Sequence, residues 1–161
     1  MNFRPSVKVL FTLLLIGGTT LKAQLAFNNN GSLTLQIDNG LTVHSDGDVA
    51  NMNTSTLVFE SAGEPNLEFD GDFTNGTSAT LTAGNGLLEL TGSASQNLDF
   101  GGDDLYNLEI NNAAGGVFTR AATVNNEVQF ATGDFTTTDA NLLTFETGAT
   151  AAGATDASHV N

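Results

Sequence analysis

Asp46, Asp48, Asp70 and Asp72 are the residues of this chain whose type and spacing come nearest to chemistry. They stand in two matching turns, Ser45-Asp-Gly-Asp48 and Phe69-Asp-Gly-Asp72. If the interval from 45 to 69 is one turn of a repeating backbone, the two turns stack and up to four carboxylates meet. Such a group either gathers a cation, calcium being the ion that suits carboxylate oxygens, or sits apart in solvent as ordinary acidic turns. A second stretch, FGGDDLYNLEINN from Phe100 to Asn112, carries half of a calcium-binding β-roll unit. It lacks the third glycine and has no second copy close behind to face it, so it reads as a turn between strands.

Acid–base catalysis on an extended β scaffold needs carboxylates paired in a groove, helped by a cation. Every acid here is expected at an outward strand position or a turn, and Arg120 is the only cation after Lys22. His44 and His159 have no cysteine, serine elbow or second histidine at useful spacing, so neither reads as a ligand or base. The sequence therefore assigns no catalytic, cofactor-binding or metal residue, and the protein is expected not to be an enzyme. Calcium at the Asp46/Asp48 and Asp70/Asp72 turns is the one ion for which it makes room.

The elements that would position these residues are short strands. Leu57-Val58-Phe59, Leu67-Glu68-Phe69, Leu88-Glu89-Leu90, Leu98-Asp99-Phe100, Leu108-Glu109-Ile110, Val128-Gln129-Phe130 and Leu143-Thr144-Phe145 share one form. Alternation along a strand sends their apolar outer members inward and the middle residue outward. Four of them start at 88, 98, 108 and 128, with Gly116-Val117-Phe118 filling the gap. Gly, Asn, Asp and Thr punctuate the intervals as turns. A longer repeat lies over this rhythm: residues 45–57 align without a gap on 69–81, and Gly133-Asp-Phe135 begins a third partial copy. Strand and turn recurring together predict an all-β fold, a right-handed parallel β-helix or β-solenoid of about six coils. An antiparallel β-sandwich is the alternative, since closely spaced short strands suit it too.

Charge and the N-terminus bound the setting. The chain has 161 residues, with 18 Asp and Glu against 4 Lys and Arg. MNFRPSVK is a basic segment, VLFTLLLIGG an apolar run and TTLKAQ a region of small residues, so residues 1–23 read as a signal peptide cut after Ala23. The apolar run falls short of the about 20 residues of a membrane span, leaving an uncleaved anchor as the lesser reading and no membrane insertion after cleavage. From Gln24 one cation faces 18 acids, a net −17. Nucleic acid and anionic lipid both need a basic footprint and are excluded as partners. With no cysteine, the exported domain 24–161 relies on packing alone.

From Ala83 onward the order of motifs resembles a repeat unit of large secreted and cell-surface proteins of Bacteroidetes-type bacteria. Gly92 and Gln96, Tyr106-Asn107-Leu108-Glu109-Ile110-Asn111-Asn112, Gly116-Val117, Val124, Gly133, Thr136 and Ser158-His159-Val160-Asn161 carry it. It covers about half the chain; residues 24–82 match only in style. The resemblance implies a parallel solenoid in an exported adhesin-like protein, of a kind often sent out by the type IX route. It also implies that the repeat continues past Asn161, so that 24–161 is a C-terminally truncated domain and the N-terminal part of something larger. An open last coil would then need a continuation or an end-to-end contact.

The function expected from all this is a non-catalytic secreted or cell-surface repeat protein. It would serve as a structural or adhesive spacer, or as a contact surface for another surface, a glycan or a protein. The alternative is a carbohydrate-active β-helix protein, whether a polysaccharide lyase or hydrolase or a glycan- or ice-binding one. Flat binding faces of that kind carry threonine rows, and here Thr80-Leu-Thr82 and Thr136-Thr-Thr138 do not recur coil after coil. The 11 phenylalanines are expected to be core stacks rather than sugar platforms.

Overall fold

The computed structural model describes residues 21–23 and 27–161, so most of the predicted leader lies outside the described residues. Strands are numbered in chain order. A first sheet stacks β1 (Leu21–Ala23), β4 (Thr42–Ser45), β7 (Asn66–Phe69), β10 (Leu87–Leu90), β12 (Asp104–Asn111) and β14 (Ala122–Thr132). Beyond β14 lie β16 (Leu143–Phe145) and β17 (Thr150–Ala152), which both pair with it. A second sheet stacks β2 (Phe27–Gly31), β5 (Val49–Asn53), β8 (Phe73–Asn75), β11 (Gln96–Asp99), β13 (Gly116–Phe118) and β15 (Phe135–Thr136). A third, shorter one holds β3 (Thr34–Ile37), β6 (Thr56–Phe59) and β9 (Thr80–Thr82). Every ladder between these strands is parallel, and no helix forms among the described residues. This is a β-solenoid of about six turns, and the antiparallel sandwich is set aside.

The apolar triplets fold as their alternation demands. Leu57, Phe59, Leu67, Phe69, Leu88, Leu90, Leu98, Phe100, Leu108, Ile110, Val128 and Phe130 are all buried, stacked on their counterparts in neighbouring coils. A file of rings runs along the axis: Phe69, Phe73, Phe100, Phe118 and Phe135 follow one another at centroid distances of 5.4, 5.0, 6.1 and 5.3 Å. Tilted contacts at these separations add to what area burial alone contributes. The seventh triplet departs from expectation. Phe145 is 37% exposed, because no coil among the described residues lies over β16 to close that side of the core.

The coil length changes along the rod, and the shorter rhythm of the triplets is its trace. Val43 pairs with Leu67 and Leu88 with Leu108, so the early step is four positions longer than the later one. In the early coils a corner separates third sheet from first, at residues 38–41, 60–65 and 83–86. In β12 and β14 that corner vanishes, and one strand of 8 or 11 residues runs through both positions with a register break between Leu105 and Asn107. Each shortened coil then visits the first and second sheets in turn, which puts 88, 108 and 128 on one sheet and 98 and 118 on the other.

Polar side chains run through the interior beside the rings. Asn29 Nδ2 donates to Asn51 Oδ1 at 2.8 Å, and Asn51 Nδ2 donates to Asn75 Oδ1 at 2.7 Å. The same two amides also reach the carbonyls of Thr56 and Thr80 at the corner into the third sheet. All three asparagines are fully buried. The file ends on Asp103, whose carboxylate accepts from Asn75 Nδ2 at 3.0 Å and from the Leu81 backbone N–H at 2.7 Å. A buried amide satisfied on both sides stabilises modestly, while one left with a broken partner costs about 1–3 kcal/mol per orphaned group. Replacing Asn51 by Ala strips Asn29, Asn75, Ser55 and Thr80 of a partner at once. We expect this variant to lose about 3 kcal/mol or more in urea unfolding, whereas exposed Asn28→Ala should stay within about 0.5 kcal/mol of the parent.

Candidate functional site

The outward face of the first sheet holds the chemistry left over once core and corners are satisfied. Parallel, in-register pairing turns the middle residues of the triplets into rows across the coils. His44, Glu68, Glu89, Glu109 and Gln129 form one row, and Thr42, Asn66, Leu87, Asn107 and Glu127 the next. Adjacent members of a row are about 4.8 Å apart, the spacing of neighbouring strands. Three glutamates in file would repel, and amides dilute the charge: Asn66 Nδ2 donates to Glu89 at 3.2 Å and Asn111 Nδ2 to its other oxygen at 3.4 Å. Among the described residues Glu109 receives no such donor. Burial first, then the charges of Glu89, Glu127 and Glu68, hold its carboxyl above the ordinary carboxylate value of 4.5. Beside the rows, Thr42, Asn66, Leu87, Asn107, Asn126 and Glu127 line a shallow open groove.

At the end of the glutamate row the two Asp-Gly-Asp turns do stack, but their carboxylates divide. Asp48 Oδ1 accepts the Asp72 backbone N–H at 2.9 Å, and Asp72 Oδ1 accepts that of Asn97 at 2.7 Å. The third copy follows the same rule, with Asp134 Oδ1 accepting the His159 N–H at 2.9 Å. In each Gly-Asp-Val/Phe segment the aspartate thus ties its coil to the next. Gly71 is required there because a Cβ would lie 2.3 Å from Asp48 Oδ1. Asp46 and Asp70 remain, and they meet at His44. His44 Nε2 lies 2.8 Å from Asp46 Oδ1 and 3.7 Å from Asp70 Oδ2, while Nδ1 lies 3.1 Å from Glu68 Oε2.

The remaining sequence candidates find structural roles. In the stretch from Phe100 to Asn112, Gly101 and Gly102 both have positive φ and close a turn from Phe100 O to the Asp103 N–H. A Cβ on Gly101 would sit 2.6 Å from the Asn75 amide, so the interior file passes too close for any other residue. Asp99 accepts from Arg120 Nε at 3.0 Å, and Arg120 also donates to the Gly101 carbonyl, which commits that cation to a corner. His159 stays beside Asp134, far along the chain from His44. His44 was not legible as a ligand in the sequence because Glu68 and Asp70 reach it only from the next coil. Glu68, Glu89 and Glu109 read there simply as outward residues, since their in-register steps are shorter than the repeat that carries 45–57 onto 69–81.

Comparison with known proteins finds no family model, no curated protein and no solved structure that matches the chain. No helix among the described residues is long and apolar enough to cross a membrane.

The raised Glu109 carboxyl makes stability depend on pH. A folded pKa above the unfolded one means that the folded state holds the proton more tightly. Its contribution is therefore full below about 4.5 and is lost as pH rises through the folded value. Glu109→Gln should raise the melting temperature by a few degrees at pH 7 and leave it unchanged at pH 4, flattening the profile measured by circular dichroism.

Proposed function

We propose that this chain is a non-catalytic secreted or cell-surface repeat protein, a stiff spacer whose first-sheet face is its contact surface. The observation that carries the reading is the division of labour among polar side chains. Asn29, Asn51, Asn75, Asp48, Asp72 and Asp103 are spent on joining coil to coil, and Glu68, Glu89 and Glu109 stand in a row on one outward face. Joining of that kind builds a rod in which each coil contacts only its neighbours, the architecture suited to spacing and display. The charge of the face favours a surface, glycan or protein that presents cations or hydrogen-bond donors. Export with cleavage after Ala23 is part of the same proposal. Expression with the native N-terminus should place the protein outside the cytoplasm with Gln24 as its first residue by mass spectrometry. Cytoplasmic retention of an uncut chain would overturn it.

A carbohydrate-active role is the second reading, favoured by one observation. Glu89 and Glu109 are in-register neighbours, and burial followed by the neighbouring carboxylates raises the pKa of Glu109. Glycosidic bond cleavage uses a pair of carboxyls, one as acid and one as base or nucleophile. Release of reducing ends from a panel of polysaccharides at mildly acidic pH, abolished by both Glu89→Gln and Glu109→Gln, would establish this reading. Silence across the panel leaves the spacer role in place.

A further inference from the structure

We propose that His44, Asp46 and Asp70 form a binding site for a divalent transition-metal ion, zinc(II) first among them. One oxygen or nitrogen from each of the three lies within 4.8 Å of the others. In a tetrahedral zinc centre with bonds of about 2.0–2.1 Å, neighbouring ligand atoms are about 3.3 Å apart. The separations of 2.8 Å from His44 Nε2 to Asp46 and 3.7 Å to Asp70 bracket that value, so small side-chain shifts would close the set.

The surroundings orient each ligand. Glu68 engages His44 Nδ1 at 3.1 Å, which directs the other ring nitrogen at the two aspartates. A carboxylate behind a metal-binding imidazole plays this part in zinc sites generally, fixing the tautomer and raising the basicity of the ring. Thr91 Oγ1 donates to Asp70 Oδ1 at 2.7 Å, leaving Oδ2 as the oxygen that faces His44. The imidazole is nearly covered, at 11% side-chain exposure, while Asp46 and Asp70 are open at 36% and 37%. The site is therefore anchored on its inner side and accessible on its outer side, which leaves room for a water as fourth ligand.

Ligand type selects the ion. Calcium takes six to eight oxygens, whereas the Asp48 and Asp72 carboxylates are turned to the backbone N–H groups of the following coils and away from His44 as ligands. One imidazole nitrogen and two carboxylates suit zinc and its first-row neighbours better.

Calorimetric titration of the chelator-treated chain with zinc chloride at physiological ionic strength tests the site. The expected result is one saturable zinc per chain, weakened at least tenfold in His44→Ala and in Asp70→Asn and unchanged in Glu127→Gln. Calcium chloride at the same concentrations should give no saturable binding. Cobalt(II) should show the visible absorption of a four-coordinate centre, lost in both site variants. Circular dichroism checks the fold of each variant, and if His44→Ala does not fold, Asp70→Asn and the cobalt spectrum decide. Zinc binding that is unaffected by Asp70→Asn, or that disappears in high salt as diffuse attraction to the acidic face would, overturns the proposal. So does calcium bound as tightly as zinc.

Discussion

The buried file of Asn29, Asn51, Asn75 and Asp103 is the constraint on which the stacking of this solenoid depends. Apolar packing is tolerant: a leucine slipped past another leucine still meets hydrocarbon. The amide file is not, because Asn51 and Asn75 accept from one coil and donate to the next. A slip of one residue would send the asparagine to the outer face and leave its neighbours unpaired inside. The file also satisfies backbone groups where the chain turns from the second sheet into the third, at Thr56, Thr80 and Leu81. Where Asp103 ends the file, the third sheet ends as well, and the coil shortens to the step that carries Leu88 onto Leu108.

The same register rule governs the outside, with opposite sign. Stacking apolar on apolar sets Phe73 over Leu98, with its ring against that of Phe100, to mutual advantage. It brings Glu68, Glu89 and Glu109 into line to their mutual cost. Asn66 and Asn111 interrupt that line with donors, and Glu109, which has none among the described residues, carries the perturbation. The acidic face is thus a direct product of the fold's periodicity meeting a glutamate at the middle of three triplets.

Much of this was legible in the sequence because burial in a solenoid follows a two-residue alternation. Six of the seven triplets are buried as their pattern requires, and the gap-free alignment of 45–57 on 69–81 matches the pairing of β5 with β8 and β6 with β9. Most of the failures share one cause. A linear repeat of fixed length cannot follow coils that vary, so the shorter steps from Leu67 to Leu88 and from Leu88 to Leu108 were hidden behind the longer copy. Asp103 likewise finds its partners at Asn75 and Leu81, positions that no count along the chain singles out. Phe145 was misplaced for a different reason: alternation says which way a side chain points and not whether anything lies over it.

The glutamate row has a further property that belongs to its spacing alone. In water two unit charges interact with thermal energy at about 7 Å, and parallel strands set the backbones that carry these carboxylates about 4.8 Å apart. Charges fixed closer than that distance hold mobile cations along the line rather than leaving them to the bulk. The rigid backbone cannot relax the spacing, as a flexible acidic tail would by stretching. Mobile counterions are therefore concentrated along this face.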